Sequence, residues 1–276
     1  MEIIKKVSFF RHQRLWIAGG FLFVLTLVCF ILPFFLPYRY DEQNITLGAV
    51  APSLKHFFGT DMLGRDLCAR VLYGGRISLS IGAVATFTAL FIGTLYGSIS
   101  GYIGGNTDML MMRFVDILYP LPLTLFVILL MMIVGRNIWA LFLAIGAIEW
   151  LTPARIVRAE VSILRDQGFV QSSRLLGQNT WNILRLHIYP NLLDTLLVYG
   201  TLTLPNIMIL ESFLSFLGLG VQAPQSSWGV LISDGVQFIG IYPWMLLIPS
   251  LFFVTTLIAL NFFGDGLRDY YMRQRS

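Results

Sequence analysis

The stretch LWIAGGFLFVLTLVCFILPFFL, residues 15–36, carries no charged side chain from end to end. A helix that crosses a bilayer needs about 20 consecutive, mostly apolar residues. This run meets that length in one uninterrupted piece. It is too long for the core of a cleaved signal peptide, and FLPYRY at its end offers no small-residue cleavage site. It reads as a retained anchor. The whole chain follows the same pattern. Hydrophobic residues make up 56% of the sequence, and the mean hydropathy is +0.73. Charged residues make up 12%, about half the ~25% usual in soluble domains. A soluble fold of 276 residues could not hide so much apolar surface. Outer-membrane barrel strands would be short and alternating, whereas these runs are long and unbroken. The fold class expected is therefore an all-α membrane protein.

Five further spans follow along the chain. They cover Ile77 to about Gly101, Ile117 to Gly135, Ile138 to about Ala154, about Thr195 to Leu217, and about Ile241 to Phe263. The third turns into the fourth through Gly135-Arg136-Asn137. Six transmembrane helices place both termini on one side. With cytoplasmic termini, thirteen Lys and Arg fall inside and six outside, together the 19 present. The positive-inside rule thus predicts both termini cytoplasmic. The net charge of +4 reads as topology, with no nucleic-acid partner implied. The two cysteines, Cys29 and Cys68, form no CxxC and no disulfide framework.

The chain divides into residues 1–76 (tail, first span and outside loop) and a core of 77–276. In the outside loop, HFFGTDMLGRDLCARVLYGGR (56–76) suggests an amphipathic surface helix. Asp61 would cap it and Gly74 would end it. Asp61–Arg65 and Asp66–Arg70 would be i,i+4 pairs. The last outside loop, about Gly218 to Gly240, is rich in Gly, Ser, Gln and Pro.

Much familiar chemistry is missing. His12, His56 and His187 lie far apart without metal-ligand spacing. No GxSxG or HExxH occurs. None of the three lysines follows a glycine, so no phosphate-cradling Walker A loop exists. If ATP drives this protein, another subunit must bind it.

One polar segment interrupts the apolar chain: FVQSSRLLGQNTWNILRLHIYP, residues 169–190. Gln171 to Leu176 suits a short helix that Gly177 ends in the left-handed C′ position. Asn179 or Thr180 can cap a second helix presenting Trp181, Leu184 and Ile188. Pro190 should stop that helix before the fifth span. The segment predicts a helix–turn–helix knob on the cytoplasmic surface. It either passes a push from a partner into both flanking spans or merely connects them.

This segment resembles the cytoplasmic coupling loop of ABC-importer permeases, whose pattern runs Glu-Ala-Ala, three residues, Gly, nine residues, Ile, one residue, Leu-Pro. Here Gln171-Ser172-Ser173 stands at the Glu-Ala-Ala positions, Gly177 at the glycine and Pro190 at the proline. No carboxylate occupies the first position and Tyr189 replaces Leu. A glutamate contact is therefore not carried over, and Gln171 supplies at most a neutral hydrogen bond. GTDMLGRDL (59–67), ESFLSFLGLGVQAPQSSWG (211–229) and NFFGDGLRD (261–269) are similar to signatures of the dipeptide/oligopeptide/nickel branch. The stretch from Gly135 to Arg158 looks most like the oligopeptide members.

The resemblance implies a type I ABC-importer permease fold in the bacterial cytoplasmic (inner) membrane, with a coupling loop at about 159–191. It implies a second homologous permease, two cytoplasmic ABC ATPases and an extracytoplasmic peptide-binding protein as partners. It implies no enzyme activity and no cofactor on this chain, with ATP and Mg on the ATPases. The expected cargo is an oligopeptide; nickel or another small solute remains open within the branch. An ion-coupled secondary transporter and a non-transporting scaffold are the rivals from other classes. Broken-helix repeats, which a secondary transporter would suggest, are absent.

Glu149 and Glu211 fall within predicted spans, where a charge is costly and should face protein or water. Each is either a pathway residue that meets a peptide's amino terminus or a satisfied interhelical hydrogen bond. Trp228, in Ser227-Trp228-Gly229, either lines the outer mouth or anchors at the membrane interface. Arg113 and Asp116 are spaced for an ion pair.

Overall fold

The computed structural model describes residues 2–135 and 138–274. The described residues are helical and contain no strand beyond an isolated bridge between Thr60 and Asp66. Helix α1 covers Glu2–Ile31 and passes into a 3-10 turn at Leu32–Phe34. A long loop then leads to α2, Leu67–Ile103. Four helices follow: α3 (Gly105–Leu118), α4 (Leu123–Val134), α5 (Ile138–Glu149) and α6 (Leu151–Arg165). The polar segment supplies α7 (Gly168–Leu175), α8 (Thr180–Ile183) and a π-helical stretch, Leu184–Ile188. Helix α9 (Tyr189–Phe216), the short α10 (Trp228–Val236) and α11 (Trp244–Gln274) complete the chain.

Among the described residues, four stretches are long and apolar enough to cross a membrane: Leu15–Phe34, Leu67–Ile103, Thr180–Phe216 and Trp244–Tyr271. The predicted third span is divided. Pro120 and Pro122 lie in the break between α3 and α4, and Pro122 is the N-cap of α4. The fourth is divided at Trp150, and its second half continues past Ala154 to Arg165. At 1.5 Å per residue, α4 and α5 are each about 18 Å long, short of the ~30 Å hydrocarbon core.

The expected surface helix from Asp61 to Gly74 does not form. Asp61 closes a tight turn instead: its Oδ1 accepts from the amides of Leu63 (2.9 Å) and Arg65 (3.0 Å). Asp66 is the actual cap, accepting from the amide of Ala69 at 2.8 Å. Gly74 is buried inside α2, so helix α2 also runs through the division expected at residue 76. The Asp61–Arg65 pair is present at 2.6 Å. Arg70 pairs not with Asp66 but with Asp61 (2.6 Å) and Asp234 (3.7 Å). Asp66 turns its second oxygen to His56 Nδ1, 2.8 Å away.

Helix α2 is the spine. Gly93, Gly97 and Gly101 recur every fourth residue and form one ridge against the backbone of α6. A Cβ at Gly101 would lie 2.5 Å from the Arg158 carbonyl oxygen, and one at Gly93 would lie 2.6 Å from Pro153 Cβ. At Gly97 the Ala154 carbonyl would be closer still. Such small-residue ridges let membrane helices approach until dispersion contacts hold them. Elsewhere α1 packs along α11, with Gly19 against Phe263 and Gly266 against Leu15.

Candidate functional site

The polar segment folds as two short helices around a fixed turn. Helix α7 ends at Gly177, whose φ is +80°. The amide of Gly177 donates to the Arg174 carbonyl (3.0 Å), and that of Gln178 donates to the Ser173 carbonyl (3.2 Å). This is the Schellman pattern that closes a helix on a left-handed residue. A Cβ at 177 would meet nothing within 4 Å, so backbone conformation, not space, selects glycine. Asn179 then caps α8 by accepting from the amide of Asn182 at 2.8 Å.

The residues named from sequence diverge in role. Gln171 and Ser172 are exposed, and the Gln171 amide donates to the Asp166 carbonyl at 3.2 Å. Ser173 is buried and lies 3.0 Å from His187 Nε2, which ties α7 to the π-helical stretch. Pro190 does not stop a helix. The helical path runs without interruption from Thr180 to Phe216, with Pro190 as the second residue of α9. The π turn just before it shifts the bonding to i→i−5, as in Tyr189 N–H to the Leu184 carbonyl. That wider turn accommodates a residue lacking an N–H. The crest is apolar and open: Leu175 is 90% exposed, Leu176 83% and Trp181 57%.

The turn stands at one end of the bundle, beside the end of α6 and the last turn of α2. Arg165 donates to the Gly101 carbonyl at 3.2 Å. Arg158 grips Asp108 through Nε (2.8 Å) and Nη2. That guanidinium, helped by the Ser100 hydroxyl, holds the Asp108 carboxyl below the usual carboxylate range. Asp116 finds its partner not in Arg113 but in Arg155, at 2.5 Å, and Arg155 also covers the Tyr119 ring.

The acids expected in the spans lie at different levels. Glu211 is fully buried. Its Oε1 accepts from Ser215 (2.8 Å) and Ser227 (2.6 Å), and its Oε2 accepts more loosely from Ser78 (3.4 Å). One carboxyl thereby joins α2, α9 and the cap of α10. Ser78 also accepts the Trp228 amide at 3.1 Å. Trp228 is fully buried, with its Nε1 donating to the Val71 carbonyl at 2.9 Å. It neither anchors at an interface nor lines a mouth here, because Gly75 leaves room for its ring inside the bundle. Glu149 is half-buried at the end of α5 and makes no hydrogen bond or ion pair with the other described residues. Its neighbour Trp150 meets α2 at Gly93, about 22 Å along the helix from Ser78. The structure does not bring the two acids together. Ser78, His187 and the His56–Asp66 pair went unrecognised in the sequence, because their partners lie 133, 14 and 10 residues away, separations that no helix or strand period marks.

Comparison with known proteins gives consistent results. The family described as "Binding-protein-dependent transport system inner membrane component" matches residues 93–275. The "N-terminal TM domain of oligopeptide transport permease C" matches residues 7–52. The oligopeptide transport system permease protein OppC of Haemophilus influenzae is 46% identical over 96% of this chain and 86% of its own length. OppC of Bacillus subtilis is 43% identical over 94% and 86%, and the dipeptide permease DppC of that organism is 41% identical over 94% and 82%. Among solved structures, an inward-facing MetNI methionine ABC transporter chain superposes with a TM-score of 0.57 at 20% identity. That likeness covers 72% of this chain and 95% of the other, and it concerns the fold alone.

Proposed function

The chain belongs to the family of binding-protein-dependent transport system inner membrane components, and from that premise we propose that it is the permease subunit of an ATP-driven oligopeptide importer. The observation that carries the reading is the identity of 43–46% with oligopeptide permeases over nearly the whole chain. The chain is a transport subunit and not an enzyme; the ATPase is a separate subunit.

In this reading six spans cross the bacterial inner membrane with both termini cytoplasmic. The end of α3 with α4 forms the third span, and α5 with the start of α6 the fourth. The distribution of Lys and Arg supports that orientation. A second homologous permease forms the other half of the pathway. Two cytoplasmic ATPases carry ATP and Mg, and an extracytoplasmic binding protein delivers the peptide. Residues from about 159 to 191 are the coupling element. The apolar crest of Leu175, Leu176 and Trp181 seats in the ATPase, and Gln171 and Ser172 lie beside it, open to contact.

The mechanics follow from rigidity. Gly177 sets the angle of α7 against α8. Ser173 and His187 brace α7 on the helical path that continues to Phe216. ATP binding that closes the ATPases moves the crest, and the connected helix tilts with it. Access of a central cavity alternates between the two sides. Directionality requires the ATP cycle to bias the two states differently. Of the residues considered for the pathway, Glu149 keeps an uncommitted carboxylate and is the one proposed to face it. Glu211 is committed to the serine cluster.

The test is reconstitution of the complex purified from its native membrane. A labelled oligopeptide should accumulate only with ATP, and ATPase subunits should co-purify. Uptake without ATP, or uptake of nickel and not of peptide, would refute the proposal.

A further inference from the structure

Beside the Gly177 turn lies an open cleft of about 710 Å³. This is within the ~300–1,000 Å³ typical of ligand clefts. Its walls come from the end of α2, the end of α6 and the α7–α8 turn. Two arginines enter it. Arg165 is already engaged by the Gly101 and Tyr102 carbonyls and by Asp166 Oδ1 at 3.2 Å. Arg174 is not. Its guanidinium carbon lies 5.2 Å from the centroid of the Tyr102 ring, and Tyr102 is itself buried. That ring gives the cation a fixed platform without neutralising it. No acceptor among the described residues receives an Arg174 N–H. The side-chain amide of Gln178 and the hydroxyl of Thr180, on the same wall, are likewise without partners among the described residues. The cleft thus presents one uncompensated positive charge and several free donors to one space. The Asp166 carboxylate also lines the cleft, on the side of its partner Arg165, and the rest of the wall is apolar, with Ile103 59% exposed where α2 ends.

We propose that this cleft binds a phosphate oxyanion through Arg174, Gln178 and Thr180, and that the headgroup of an anionic phospholipid is its natural source. A planar guanidinium matches two oxygens of a phosphate at once. The apolar wall at Ile103 suits hydrocarbon leaving that headgroup, which a free phosphate would not use. The placement at the inner membrane surface rests on the topology given under Proposed function. The donor chemistry does not, so a failure of peptide transport and a failure of anion binding are separate results.

The experiment uses the purified full-length chain in detergent. Native mass spectrometry compares phosphatidylglycerol with phosphatidylcholine of the same acyl chains. Thermal unfolding compares inorganic phosphate with chloride at equal ionic strength. Arg174→Gln removes the charge, and Gln178→Glu opposes the anion while leaving Gly177 and the arginines in place. One basic side chain at a membrane surface is worth about a five-fold preference for anionic lipid. Wild-type protein should retain phosphatidylglycerol by at least that factor, and both variants should lose it. Stabilisation by phosphate without lipid preference, lost in both variants, would uphold the oxyanion site and assign it to the soluble ion. Binding of neither probe, or binding unchanged in both variants, would overturn the proposal. So would Arg174-dependent capture of an ATPase in the absence of any effect of either probe, since the cleft would then be a socket for an acidic side chain.

Discussion

Replacing Gly97 by alanine tests the packing that organises the bundle. A Cβ at 97 would meet the Ala154 carbonyl, the Arg158 amide nitrogen at 2.9 Å and Val157 Cβ at 2.9 Å. Two of these are backbone atoms of α6, which cannot rotate away. The helices must part by on the order of 1 Å, at an overpacking cost of up to about 3 kcal/mol. The contacts at Gly93 and Gly101 loosen with them. Alanine recovers roughly 1 kcal/mol through its better helix propensity, which leaves a net loss of about 1–2 kcal/mol. Gly20→Ala is the matched control. A Cβ at Gly20, also helical, would meet nothing within 4 Å, so only the propensity gain of up to about 1 kcal/mol applies. The same chemical change should therefore act with opposite signs at the two sites. Thermal unfolding in mild detergent, followed by tryptophan fluorescence, reads both. Gly97→Ala should melt several degrees below wild type, and Gly20→Ala at or above it. A Gly97→Ala protein as stable as wild type would show that the α2–α6 contact is not close in the folded bundle.

Glu211→Ala leaves the buried Ser215 and Ser227 hydroxyls without their acceptor and should cost about 1–3 kcal/mol for each. Glu211→Gln keeps one oxygen for that pair and should cost clearly less in the same melting assay. Gly177→Leu should insert normally yet break the ratio of peptide transported to ATP hydrolysed, because a branched residue at φ +80° forces α7 off its angle; Gly177→Asn should retain more coupling. The Asp108–Arg158 pair should show a defined pH dependence. The folded Asp108 carboxyl titrates below its ordinary range, so its contribution is complete above that range and fades as pH falls through the lowered value. The melting difference between wild type and Asp108→Asn should then be largest at neutral pH and close in acid.

How much of this was legible depended on whether the deciding contact was local. Leu15–Leu36 declared a membrane helix by length alone, and a helical stretch long and apolar enough to cross a membrane covers Leu15–Phe34. Gly177 and Asn179 announced a helix end and a cap through their own backbone chemistry, and both hold. Pro190 misled because a π turn upstream absorbs it, and no residue type marks a π turn. The break between α3 and α4 was written in Pro120 and Pro122, but an apolar window read across it. Helix α6 outran its predicted end because the hydropathy signal stops at polar residues while the helix does not. The glycine spacing at 93, 97 and 101 was visible and is a known packing signal. Nothing in the sequence pairs Glu211 with Ser78, since such a contact is made only by folding.

The glycine ridge also sets a problem for the growing chain. Gly97 is made before Ala154, so the groove on α2 is born without its lodger. At about 5–20 residues per second, the wait for α6 lasts on the order of 3–10 s. During that time a strip of helix backbone with no side chains to shield it faces lipid or the insertion machinery. The helices made in the interval, α4 and α5, are too short to cross alone and must enter as part of longer pairs. Hydrogen bonds made within α2 satisfy that backbone in lipid until α6 is translated, and lengthening the 104–150 segment should prolong the exposure of the ridge.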